Sequence, residues 1–146
     1  MAEWPCCAIT PTAHWIRNAD FALVRYNSNG TLDPAFGRGG IATNDLNNGT
    51  DDKVTAMVLQ SDNKIVAVGQ TGVYPSFDFG AARYSANGRL DKTFGRRGSV
   101  STDFATGSFD IAYGVTLVPD GKLVVAGETN GNTGGDFDFA LARYLP

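Results

Sequence analysis

The residues with the clearest capacity for chemistry are aspartates. Asp45, Asp51, Asp52, Asp78, Asp103, Asp110, Asp136 and Asp138, together with Asp20, are interleaved with Asn44, Asn47, Asn48, Asn130 and Asn132. Carboxylates and amide carbonyls are the hard oxygen donors that Ca²⁺ gathers in groups of about six to eight. Calcium is therefore the cofactor this composition predicts, with those first eight aspartates as its candidate ligands. Asp and Asn also cap turns and solvate loops, and no segment has EF-hand spacing, so the signal is one of composition. Other chemistries are poorly supplied. His14 is the single histidine, so a Ser-His-Asp or Cys-His arrangement would have to use it. Cys6 and Cys7 are adjacent and cannot staple distant segments, and with one histidine they do not make a usual zinc site. Trp4 and Trp15 could stack on sugars or cover an apolar face. No catalytic residue is assigned.

The elements that must position these aspartates come from a repeat. Asp20-Phe-Ala-Leu-Val-Arg-Tyr26, Asp78-Phe-Gly-Ala-Ala-Arg-Tyr84 and Asp138-Phe-Ala-Leu-Ala-Arg-Tyr144 recur with a period of 58 to 60 residues, so the chain is a modular array. Its 146 residues are 42% hydrophobic and 18% charged, within the ordinary globular range. Eighteen glycines, with many Asn and Asp, favour short strands and tight turns, and the predicted class is all-β. The formal net charge of -3 argues against a nucleic-acid partner, whose phosphates call for clustered Lys and Arg. No run of 18 apolar residues predicts membrane insertion, and Met-Ala-Glu-Trp-Pro-Cys-Cys does not read as a signal peptide.

The two full units are 40–84 and 98–144, following a poorly patterned segment 1–19 within which a partial blade could begin; the repeat domain is 20–146. Each unit reads as four strands: 41–46, 54–60, 64–71 and 78–84 in one, and 99–104, 111–118, 122–129 and 138–144 in the other. Ser61-Asp-Asn-Lys64 and Pro119-Asp-Gly-Lys122 supply the turns between second and third strands. Alternation puts Phe21, Leu23 and Arg25 on one face of a strand and Ala22, Val24 and Tyr26 on the other, so both faces carry apolar groups and need cover. Sheets stacked face to face provide that cover, and a repeated four-stranded unit of this kind is the blade of a β-propeller. The segments 27–40 and 85–98 are expected to cross from one blade to the next, with Leu32, Phe36, Leu90 and Phe94 filling the groove. Arg25, Arg83 and Arg143 recur in every unit and are expected to form structural ion pairs with a repeated Asp. Phe36-Gly-Arg-Gly-Gly40, matched by Phe94-Gly-Arg-Arg-Gly98, is a repeated turn rather than a phosphate cradle.

Three motifs in this order, Asp-Phe-Ala-Leu-Ala-Arg-Tyr, Gly-x-Leu-Asp-x-x-Phe-Gly-x-x-Gly and Pro-Asp-Gly-Lys-Leu-Val-Val-Ala-Gly, resemble the delta-60 repeat proteins over about residues 20 to 144. The resemblance implies a bacterial β-propeller-like repeat of uncharacterised function, in a secreted or surface-attached setting. Two full blades and a partial one do not close a ring of four to eight, so association is expected, as a homo-oligomer: a six-bladed trimer, or a dimer. The function expected is that of a ligand- or partner-binding module for a small molecule, glycan or peptide, stabilised by Ca²⁺ at an Asp/Asn-rich loop rim. The alternative, a calcium-dependent hydrolase of lactones or esters, rests on a fold-level likeness to six-bladed lactonases.

Overall fold

In the computed structural model the described residues are 6–8, 19–131 and 135–145, with residues 6–8 described by their backbone alone. His14 and the two tryptophans lie outside the described residues. Among the described residues there are ten strands and no helix long and apolar enough to cross a membrane. The strands are β1 (Cys6–Ala8), β2 (Phe21–Arg25), β3 (Ile41–Asn44), β4 (Lys53–Leu59), β5 (Ile65–Val73), β6 (Ser76–Tyr84), β7 (Ser99–Thr102), β8 (Asp110–Leu117), β9 (Leu123–Thr129) and β10 (Asp138–Tyr144). They form three antiparallel sheets, ordered β1-β2-β3, β4-β5-β6-β7 and β10-β9-β8.

Turn chemistry sets the hairpins. In the β4–β5 turn, Asn63 takes the left-handed conformation, with φ of 64°, while the Asp62 side chain accepts from the Lys64 amide. Gly121 and Asp120 play the same parts between β8 and β9. These turns lie where Ser61–Lys64 and Pro119–Lys122 place them in the sequence.

The core is interblade. On the middle sheet, Ile65, Ala67, Ala82 and Tyr84 face the first sheet and pack with Phe21, Leu23 and Ala42. Their strand neighbours Val66, Val68, Phe79 and Ala81 face the third sheet and pack with Ala112, Leu123, Val125 and Ala140. Both faces of the middle sheet are thus buried, as its unbroken apolar runs require. The third sheet has one such face only. Phe139 and Leu141, the counterparts of buried Phe79 and Ala81, are 101% and 68% exposed.

The sheets are out of phase with the sequence repeat by one strand. Ile41–Asn44 pairs with β2 and Ser99–Thr102 with β6, each completing the sheet of the preceding heptapeptide rather than opening the next. The expectation that segments 27–40 and 85–98 cross between blades is therefore corrected: each is a long loop joining adjacent strands of one sheet. The physical reason is that the loop bonds back on itself, with Asp33 N donating to Arg25 O and Arg25 N to Gly40 O, repeated as Asp91 N to Arg83 O and Arg83 N to Gly98 O. At the tight bends, Gly37 and Gly95 have φ of 54° and 52°, and a Cβ there would sit 2.0 and 2.3 Å from a backbone carbonyl oxygen. Phe36 and Phe94 do fill the spaces between sheets, but Leu32 is exposed and contributes no plug. The true crossings between sheets are 45–52 and 103–109.

Candidate functional site

Each crossing gathers three aspartates. β2 and β3 pair with Phe21 opposite Asn44, which brings Asp20 and Asp45, the next residue out on each strand, together at one end of the ladder. The chain then crosses to the middle sheet and reaches Asp52 just before β4. In the next unit Phe79 is opposite Thr102, which brings Asp78 to Asp103, and the crossing ends at Asp110. Asp20, Asp45 and Asp52 form one triad and Asp78, Asp103 and Asp110 the other, each offering ligand atoms that lie within 4.8 Å of one another. Each triad has one half-buried, one exposed and one buried member.

The buried members organise the crossings. Asp52 accepts from Leu46 N at 2.7 Å through Oδ2, and from Thr50 Oγ1 at 2.7 Å and Thr71 Oγ1 at 2.5 Å through Oδ1. Asp110 accepts through Oδ2 from Phe104 N at 3.0 Å and Ser108 Oγ at 2.8 Å. Its Oδ1 is buried and has no hydrogen-bond partner among the described residues. Of the exposed members, Asp45 accepts from Asn47 N and Gly49 N with its two oxygens. Asp103 Oδ1 lies 3.2 Å from the same Ser108 Oγ that faces Asp110, and the half-buried Asp78 accepts from Ser101 Oγ at 2.6 Å.

Crowding like charges in a partly dry site opposes ionisation. Burial, then the Asp45 charge, pushes the Asp20 pKa up. Burial raises Asp52 too, against the opposing pull of its Thr71, Leu46 and Thr50 hydrogen bonds. Asp78 is raised by burial and by the charges of Asp103 and Asp110, with Ser101 pulling the other way. Below the first triad the Tyr84 hydroxyl is buried and meets no partner at hydrogen-bonding geometry among the described residues. Burial, with Asp52 and Asp20, pushes its pKa up, while the Asn44 side chain acts to lower it.

The remaining predicted ligands are elsewhere. Asp51 accepts from Ala19 N at 3.3 Å and is in neither triad. Asp136, just before the third sheet, and Asp138, at the start of β10, are exposed and join no such cluster among the described residues. Asp20, which was not among the eight leading candidates, completes the first triad. A sequence signal for it existed: the pairs 20/78, 45/103 and 52/110 all share the offset of 58.

Two of the three repeated arginines behave as the repeat predicts, while Arg143 forms no ion pair among the described residues. Arg25 pairs with Asp33 at 2.7 Å and Arg83 with Asp91 at 2.9 Å, and their guanidinium groups lie over Phe36 and Phe94. The Thr93 hydroxyl, with Arg83 and Lys64, holds the Asp91 pKa down at about 2. Arg25 also donates to the Ala86 carbonyl, tying the first loop to the second.

Between the first two sheets lies a cleft of about 760 Å³. One wall carries Asp45, Asn47 and Asn48, and the other Lys92, Arg96 and Arg97. These three cations are exposed and form no ion pair among the described residues. The loop bearing Asp45 and the basic loop thus share one cleft.

A family model described as a β-propeller domain of unknown function (DUF5122) matches residues 17–36, 60–94 and 119–146, together more than half of the chain. The chain belongs to this β-propeller family. Membership bears out the resemblance read from the three repeated motifs, and with the stacked antiparallel sheets it makes the chain a β-propeller repeat domain. The matched segments contain Asp20, Asp78 and Asp138, whereas Asp45, Asp52, Asp103 and Asp110 fall between them. No curated protein matches the chain.

Proposed function

We propose that this propeller module binds ligands without transforming them, and that its ligand is an acidic, hydroxyl-rich glycan seated in the interblade cleft. The observation that carries this reading is the pairing of three unneutralised cations, Lys92, Arg96 and Arg97, with the amides of Asn47 and Asn48 across one cleft. Cations select carboxylate or sulfate groups, and the amides, with the Ser99 and Ser101 hydroxyls, suit sugar hydroxyls. In the same reading Ca²⁺ stabilises the acidic rim through the aspartate triads, whose oxygens are of the kind the ion prefers. The open face of the third sheet, with Phe139 and Leu141 exposed, supports self-association as a dimer or a six-bladed trimer. A lactone or ester hydrolase would rest on the same carboxylates, and among the described residues no side chain is paired with another as nucleophile and base.

A glycan array probed with the full chain tests the cleft. Acidic glycans should be retained and neutral ones not, and Arg96→Ala with Arg97→Ala should reduce retention at least tenfold without changing the melting temperature. Retention unaffected by these substitutions, or selective retention of peptides on a parallel array, would overturn the reading.

A further inference from the structure

The two triads occupy equivalent positions, but they differ in what their buried carboxylates still need. In the first, both oxygens of Asp52 are occupied, Oδ1 by the hydroxyls of Thr50 and Thr71 and Oδ2 by the Leu46 amide. Both oxygens of Asp45 are also occupied, by backbone amides of its own loop. In the second, Asp110 is 0% exposed and contributes an oxygen to the cluster, yet its Oδ1 accepts nothing. A buried carboxylate oxygen without a donor is costly in a dry site. An added positive charge removes that cost.

The cause is local. Thr71 turns its hydroxyl to Asp52, whereas Thr129, its counterpart opposite Asp110, accepts from the Gly131 amide and makes no hydrogen bond to Asp110 among the described residues. Asn130, which stands where the first unit has Gly72, accepts the Phe109 amide through its side chain and draws that end of the crossing toward β9. Ser108 compensates only in part, because its one hydroxyl lies between Asp103 Oδ1 at 3.2 Å and Asp110 Oδ2 at 2.8 Å.

We infer that the triads have divided roles: Asp78, Asp103 and Asp110 form the Ca²⁺ site of this chain, while Asp20, Asp45 and Asp52 form a hydrogen-bonded junction that folds without metal. This rests on the cation reading given above and narrows it to one ion per chain. Carboxylate oxygens from Asp78, Asp103 and Asp110 supply the protein ligands, and the half-exposed edge of the cluster leaves room for water to complete the shell.

Calorimetric titration of the chelator-treated full chain with CaCl₂ tests this. One site per chain is expected. Asp103→Asn should weaken the affinity at least tenfold, and Asp45→Asn should leave it within twofold. Both substituted residues are exposed, and melting in chelator checks that each variant still folds. Two equal sites, or equal weakening by the two variants, would overturn the division of roles while leaving the cation reading intact. Absence of any heat or melting shift with millimolar Ca²⁺ would overturn both. The cleft reading is unaffected by either result, since its own test uses Arg96 and Arg97.

Discussion

The first and second interblade junctions place three aspartates at a common offset, but their buried members are satisfied differently. Asp52 receives three donors, one amide and two hydroxyls, whereas Asp110 receives two and keeps a bare oxygen. A repeat therefore copies the positions of charges more faithfully than it copies their solvation. The difference originates in neighbours that the repeat does not hold constant: Gly72 against Asn130, and Asp51 against Phe109. Polar groups inside a fold matter through their whole set of partners, so the junctions share residue types and diverge in how their buried carboxylates are satisfied.

The largest expected contrast comes from neutralising the buried carboxylates in the absence of divalent ions. Asp52→Asn sets an amide NH₂ against at least one of three donors and should cost about 2–4 kcal/mol. Asp110→Asn removes a charge that has a bare oxygen and should be neutral or slightly stabilising under the same conditions. Urea unfolding in chelator measures both, and equal losses would erase the distinction between the junctions.

Removing the hydroxyl that separates them gives a smaller effect. Thr71→Val deletes the 2.5 Å donor to Asp52, together with the acceptor of Asn47 Nδ2, and should cost about 1–2 kcal/mol. Thr129→Val loses one acceptor of a loop amide at a half-buried site and should cost under about 0.5 kcal/mol. Similar costs in thermal or urea unfolding would mean that Thr129 also serves its aspartate.

A graded pH effect is the smallest. Asp20, Asp52 and Asp78 have folded-state pKa values above the ordinary 3.8, so the folded chain holds their protons more tightly than the unfolded chain does. Their contribution to stability is present at low pH and is lost as pH rises from about 3.8 through the raised values. Asp91 has the opposite sign: held at about 2, its contribution is present above 3.8 and is lost as pH falls toward that lower value. At the proposed site Ca²⁺ would compete with the protons on Asp78, so the rise in melting temperature on adding Ca²⁺ should be larger at pH 7 than near pH 4.5. A rise independent of pH would place the ion away from this carboxylate.

Much of the fold is legible in the sequence because it rests on local signals. Alternation in Asp78–Tyr84 and the turns around Asn63 and Gly121 place the strands within about two residues. Within the segment where a partial blade could begin, Cys6–Ala8 pairs beside the first heptapeptide. Sheet membership is less accessible, since Ile41–Asn44 has the same sequence whether it closes one blade or opens the next. The hydrogen bonds of the intervening loop decide that, and they involve backbone groups that carry no residue signature. The site shows the same division. Common offsets mark the positions of both triads, but whether Thr71 or Thr129 turns toward its aspartate depends on the shape of the crossing, which only the packed structure reveals.

The most direct test of the divided roles is an anomalous difference map from Ca²⁺-grown crystals, recorded at a long wavelength where calcium scatters anomalously. The account predicts one strong peak among Asp78, Asp103 and Asp110 and none among Asp20, Asp45 and Asp52. Peaks of equal height at both junctions, a peak at the first alone, or no peak at either would contradict it.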